Sequence, residues 1–211
     1  MPGRPDILTA RRPDGLRAGL LLLLAVWPCR LTAQVSVRAS LGARFSTALV
    51  KDSIVVPIAL KPGVGPAVQL SVRDDLRGPW TGDITLDVAS TSLKREESGT
   101  TYDAGSATVT ALTFGLRHEL PKGLAARLGL GGLIYMTEST GVFEQGNGGI
   151  FPLIALDASY APAFGAKRAL EIALQYDVHR FITPALRTTG FPNPRPVHRL
   201  ALSVSARLFG Q

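Results

Sequence analysis

From residue 35 almost to residue 209 the apolar side chains recur at every second position rather than every third or fourth, and this regularity removes most folds from consideration. In "VSVRASLGARF" (35–45), Val35, Val37, Ala39, Leu41, Ala43 and Phe45 share one face, with Ser36, Arg38, Ser40, Gly42 and Arg44 on the other. "WTGDITLDVAS" (80–90) sets Trp80, Ile84, Leu86 and Val88 against Thr81, Asp83, Thr85 and Asp87. "ALEIALQYDVH" (169–179) sets Leu170, Ile172, Leu174, Tyr176 and Val178 against Glu171, Ala173, Gln175, Asp177 and His179. A period of two belongs to pleated strand, whose side chains point alternately to opposite faces. Less regular alternation at 67–73, 107–119, 124–135 and 151–161, with a last strand at 198–209, brings the expected number of strands to eight.

The last strand asks what covers its oily face. In "RLALSVSARLF" (199–209), Leu200, Leu202, Val204, Ala206 and Leu208 alternate with Ala201, Ser203, Ser205 and Arg207, and neither a helix nor a second sheet follows to pack against them. The expected partner is lipid. The connections agree, because short ones at 74–79, 121–123 and 164–168 alternate with long ones at 46–66, 95–106, 138–149 and 182–196. In bacterial outer-membrane barrels the strands are even in number and antiparallel, with short periplasmic turns and longer outer loops. The reading is therefore an all-β chain, an eight-stranded antiparallel up-and-down transmembrane β-barrel with both ends on the periplasmic side. Residues 54–72 keep an apolar phase at even positions, but Pro57, Pro62 and Pro66 interrupt it. Proline cannot donate to a ladder, so 66–73 reads as strand and 54–65 as an irregular extension above the membrane.

Residues 1–33 read as a cleavable signal peptide ahead of a barrel domain at 34–211. A basic stretch ending in "RRPDGLR" leads into "AGLLLLLAVW", too short for a mature membrane helix, and "LTAQ" offers cleavage after Ala33. This segment explains much of the charge. The chain of 211 residues has a formal charge of +7 and a pI near 10.1, values that raise the question of nucleic acid. Arg4, Arg11, Arg12, Arg17 and Arg30 lie within 1–33, and no run of Lys and Arg follows, so no nucleic-acid partner is expected. The single cysteine, Cys29, lies there too, which leaves the barrel domain without thiol chemistry or disulfides.

The expected inward faces collect Arg38, Arg44, Arg73, Asp83, Asp87, Arg117, Glu119, Arg127, Asp157, Glu171, Asp177, His179 and Arg207. An eight-stranded barrel is only wide enough for its side chains to fill, so these charges must pair or meet water. A lumen charge network is expected from Arg38, Arg44, Asp83, Asp87, Arg117, Arg127, Asp157, Glu171, Asp177, His179 and Arg207, with Arg38, Glu171 and Arg207 meeting near the periplasmic end. Phe45, Trp80 and Tyr160 are expected at the lipid face near strand ends, whereas Tyr135 and Phe181 are out of phase with it. His118 and His198 fall on the outward parity at opposite membrane edges.

With an export signal, eight alternating segments, sorted loops and an amphipathic last strand, residues 35–209 resemble the small eight-stranded outer-membrane barrels of the OmpA-transmembrane and OmpX kind and the broad outer membrane protein beta-barrel families. The resemblance implies residence in the outer membrane of a Gram-negative-type bacterium, with membrane lipid as a partner. It also implies that the insertion machinery reads the last strand, 199–209, although Phe209 falls on the opposite parity from Leu208 and two residues follow it.

Catalysis is not expected. His179 with Asp177 and Ser203 or Ser205 has the residue types of a nucleophilic set, but the serines fall near mid-membrane and His179 near the outer rim. No metal cluster, phosphate loop or cofactor motif is visible. Two functional classes remain. One is a structural or surface-interaction barrel with a filled polar lumen, whose loops 95–106, 138–149 and 182–196 meet a surface ligand. The other is a small channel or carrier for small or hydrophobic solutes, like the OmpW-type barrels, which requires an apolar entrance to the lumen.

Overall fold

The computed structural model describes residues 35–52, 57–137, 149–162, 170–188, 190 and 193–210. The signal-peptide segment and most of the loop expected at 138–149 lie outside the described residues. The strands are β1 (Val35–Ser46), β2 (Val50–Asp52), β3 (Ile58–Pro62), β4 (Gly65–Asp75), β5 (Trp80–Glu97), β6 (Thr100–Glu119), β7 (Leu124–Thr137), β8 (Phe151–Tyr160), β9 (Leu170–Phe181) and β10 (Arg195–Phe209). Eight of them form a closed antiparallel ring in the order β1, β4, β5, β6, β7, β8, β9, β10, which returns to β1. The seam between first and last strands runs from Val37 opposite Phe209 to Ser46 opposite Arg199. A closed ring leaves no ladder edge within its wall, which is the condition for strands to cross a bilayer.

The period of two decides which side chain goes where. Residues that directly oppose each other across a ladder share a face, so the outward set runs continuously from strand to strand. It includes Leu41, Val68, Leu86, Phe114, Leu128, Leu130, Ile154, Leu156, Ile172, Leu174, Leu202 and Val204, all exposed. Soluble monomers rarely expose contiguous apolar patches beyond a few hundred Å². Phe45, Trp80 and Tyr160 stand exposed near strand ends, as expected. His118 packs against Trp80 with ring centroids 4.3 Å apart and planes tilted by 44°, and the Tyr176 hydroxyl lies 2.7 Å from His198 Nδ1.

At one end, which we call the short-turn end, Leu76–Pro79 joins β4 to β5, and Pro121–Gly123 forms a single 3-10 turn between β6 and β7. The other, long-loop end departs from expectation in three places. Residues 95–106 are not a loop. The β5–β6 ladder continues to Glu97 opposite Thr100, around the two-residue turn Ser98–Gly99, where both φ angles are positive (48° and 82°). Above the membrane both faces of this hairpin meet water, so its sequence carries no alternation to reveal it. Residues 54–65 are partly ordered as strand. Ile58–Pro62 pairs with the overhanging part of β5, and β2 pairs in turn with β3. The prolines sit where no ladder donor is required: Pro57 precedes β3, Pro62 ends it, and Pro66 precedes the β4–β5 ladder, which begins at Ala67. Within 182–196 a short helix, Pro184–Thr188, turns Leu186 inward.

The last strand also carries an irregularity. Arg207 opposes Arg38 and Phe209 opposes Val37, so Leu208 is an extra residue in β10. This bulge restores Phe209 to the outward face beside Leu208, and both are exposed.

Candidate functional site

The lumen is stratified, and each layer follows from the inward positions of several strands. Nearest the short-turn end, Glu171 of β9 faces three arginines. Arg73 donates from Nη1 and Nη2 to its carboxylate at 3.0 and 3.2 Å, Arg117 Nη1 donates at 3.0 Å, and Arg38 Nη1 stands 3.7 Å away. Arg117 also donates to Ser159 Oγ at 2.8 Å. Arg207 lines the same space but lies outside ion-pair distance of Glu171, contrary to expectation. In the register Arg207 stands directly opposite Arg38, a like-charge pairing that is unfavourable at that spacing.

The middle layer centres on Arg127. Its Nε lies 2.8 and 2.7 Å from the two oxygens of Asp83, its Nη1 is 2.8 Å from Asp157 and its Nη2 is 2.9 Å from Thr113 Oγ1. Asp157 directly opposes Arg127 on β8, whereas Asp83 lies on β5, beyond β6. The guanidinium passes over Gly115, where an added Cβ would stand 2.4 Å from Arg127 Nε.

Above it, Asp177 is gripped by two arginines. Arg199, directly opposite on β10, donates from Nε at 2.5 Å and from Nη2 at 3.0 Å, and Arg44 of β1 donates from Nη1 at 3.0 Å. Arg44 Nη1 also stands 2.9 Å from Asp87, and its Nη2 donates to Gln175, which accepts a second bond from Gln69. Two-point guanidinium–carboxylate pairs of this kind fix geometry as well as charge. Arg199, the most deeply buried of these arginines at 2% exposure, is absent from the expected set. Its parity is readable from Leu200 beside it, so the signal was present.

The long-loop end of the lumen is apolar. Tyr135, Phe151 and Phe181 meet with ring centroids 5.3–5.7 Å apart, packed with Leu49, Leu93, Leu133, Leu153 and Val197. His179 belongs to this layer, its Nε2 lying 2.9 Å from the Tyr135 hydroxyl. It does not reach the serines, because Ser203 stands opposite Ala173, six residues along β9 and roughly 20 Å away at about 3.3 Å per residue. Tyr135 and Phe181 are out of phase with lipid because they belong to this cap.

The space left inside is broken up. A polar pocket of about 180 Å³ opens at the short-turn end, beside Arg38, Arg73, Arg117, Glu171 and Arg207. A gap of about 30 Å³, enough for a water or two, remains near Ser40, Ser159 and Ser203, and one of about 10 Å³ lies beneath Tyr135. Outside the lumen, a shallow apolar groove of about 760 Å³ runs along the outer face beside Leu130, Ile150, Ile154 and Val178.

No family model matches the sequence, and no curated protein matches it. Among solved structures the chain is similar to Neisserial surface protein A, at 8% identity over 82% of this chain and 95% of that one, with a TM-score of 0.52. It is also similar to Ail, the attachment invasion locus protein of Yersinia pestis, in complex with the heparin analogue sucrose octasulfate, at 13% identity over 83% and 99% of the two chains with a TM-score of 0.49. The outer membrane protein OprG from Pseudomonas aeruginosa aligns at 10% identity over 85% and 97%, with a TM-score of 0.45. With an outward apolar belt for lipid to cover, and a ring like that of Neisserial surface protein A, the chain has the fold of the small eight-stranded outer-membrane β-barrels.

Proposed function

We propose that the barrel is a closed, non-catalytic membrane anchor that presents its long-loop end to molecules outside the cell. The observation that carries this is the lumen itself, filled by ion pairs and capped by Tyr135, Phe151 and Phe181. A channel needs continuous water, and the described residues leave separate small spaces instead. The surface offered outside includes the β5–β6 hairpin, β2 and β3, and the segment around Pro184–Thr188. In planar bilayers the protein should give no steady single-channel current. A reproducible open level would overturn the closed reading.

A carrier for small hydrophobic solutes is the second reading; it needs an apolar way into the lumen, whereas the groove along Ile150, Ile154 and Val178 lies on the outer, lipid-covered face. Faster uptake of a long-chain alkane by cells making the protein would favour it over the anchor.

Two further elements belong to the same proposal. Residues 1–33 are removed on export, which the mass of the purified mature chain tests. The strand at 199–209 is read by the insertion machinery, and the bulge that returns Phe209 to the lipid face supports this. Phe209→Ser should then lower the yield of folded barrel in cells but not refolding in detergent.

A further inference from the structure

We propose that the pocket at the short-turn end of the lumen binds a small oxyanion of the phosphate class. The argument starts from charge balance by layer. Around Asp177, two arginines, Arg44 and Arg199, are matched by two acids, Asp87 and Asp177. Around Arg127, one arginine meets Asp83 and Asp157. At the short-turn end four arginines, Arg38, Arg73, Arg117 and Arg207, share one buried acid, Glu171, while the inward-parity acids Asp75 and Glu119 stand exposed at the mouth. The surplus of positive charge is confined to the layer that has open space.

The donors are arranged to be used. Glu171 occupies Arg73 Nη1 and Nη2, yet Arg73 Nε is buried with no hydrogen-bond acceptor. Arg207 Nε is likewise buried without an acceptor, and Arg207 forms no ion pair among the described residues. A buried guanidinium N–H without an acceptor is costly, and an oxyanion supplies both charge and acceptor. Guanidinium groups suit phosphate because their fork of N–H donors matches its oxygens. The cavity of about 180 Å³ holds several waters at about 30 Å³ each, hence a small oxyanion with residual hydration. Two other acids, Asp75 and Glu119, line the mouth, but both are exposed and screened by solvent and salt. The pocket is walled by inward faces of the ring, so the ligand is a free anion and not a lipid headgroup. It binds whichever compartment this end faces. That this compartment is the periplasm rests on the orientation proposed above.

The test uses the full-length barrel in zwitterionic detergent, titrated with sodium phosphate against sodium chloride at matched ionic strength, and read by calorimetry and by the thermal midpoint. Phosphate should give a saturable signal that chloride does not. Arg207→Gln, which removes a group tied to no carboxylate, should weaken the apparent Kd about tenfold while keeping the barrel folded. Arg73→Gln should weaken it similarly, and Lys122→Gln, in the turn outside the pocket, should not change it. A phosphate response equal to that of chloride overturns the site, as does one that survives Arg207→Gln unchanged. Binding of short-chain phosphatidic acid without binding of inorganic phosphate also overturns it. These outcomes are independent of conductance, so failure here leaves the closed-anchor reading standing.

Discussion

Arg127 of β7 reaches Asp83 of β5 across the strand that separates them, with Nε 2.8 and 2.7 Å from the two carboxylate oxygens. It does so over Gly115, which directly opposes both Asp83 and Gly129 in the ladders on its two sides. The missing side chain there is the space in which the guanidinium lies.

Gly115→Ala should therefore destabilise the barrel by about 1–3 kcal/mol, the usual cost of overpacking a tight interior. Gly82 has no atom closer than 3.8 Å to an added Cβ, and Gly82→Ala should be close to neutral. Urea midpoints of the two variants in detergent decide this, and equal midpoints would remove the steric argument.

Glu171→Ala strips Arg73, Arg117 and Arg38 of their shared acid. Breaking a buried pair from one side costs roughly 3–5 kcal/mol, whereas an exposed pair such as Lys61–Glu96 is worth about 0–1. The unfolding midpoint should drop far more for Glu171→Ala than for Glu96→Ala.

Val204 is half-exposed on the outer face at mid-strand, and a soluble barrel would accept a charge there. In lipid, Val204→Arg should cost about 2–4 kcal/mol, and Leu76→Arg in the short turn about 0–1, since the penalty falls toward the interface. Equal losses for the two in lipid vesicles would contradict a membrane depth for Val204.

Orientation is open to chemical labelling. Ser98→Cys, at the tip of the β5–β6 hairpin, should react with a membrane-impermeant maleimide on intact cells. Lys122→Cys in the opposite turn should react only after the outer membrane is permeabilised. The reverse pattern inverts the barrel.

Most of the wall was legible because one physical rule governs every strand: lipid outside and polar groups inside impose a period of two. The inward parity of Arg44, Asp83, Asp87, Arg127 and Asp177 can be read by the same rule, and all five side chains are buried. What escaped did so for local reasons. Tyr135, Phe151 and Phe181 are apolar on the inward parity, and the cap becomes visible only when register brings β7, β8 and β9 to one level. The β5–β6 overhang has water on both faces and so no pattern. Arg207 has the right parity but faces another arginine, a matter of register that alternation cannot reveal. Phe209 was misplaced because a bulge shifts parity without changing composition.

The grip on Asp177 has a kinetic side. Arg199 lies 22 residues from it along the chain, but Arg44 lies 133 residues away on the first strand, and the two meet only once β10 has docked on β1. Until then both ends of the chain hold charged faces in need of water, and the cost of bringing such distant segments together comes before any reward. Folding should accordingly be slow and end in a single late step, in which ring closure and the drying of these charges occur together. Weakening Arg44–Asp177 should then speed opening of the seam more than it slows its formation.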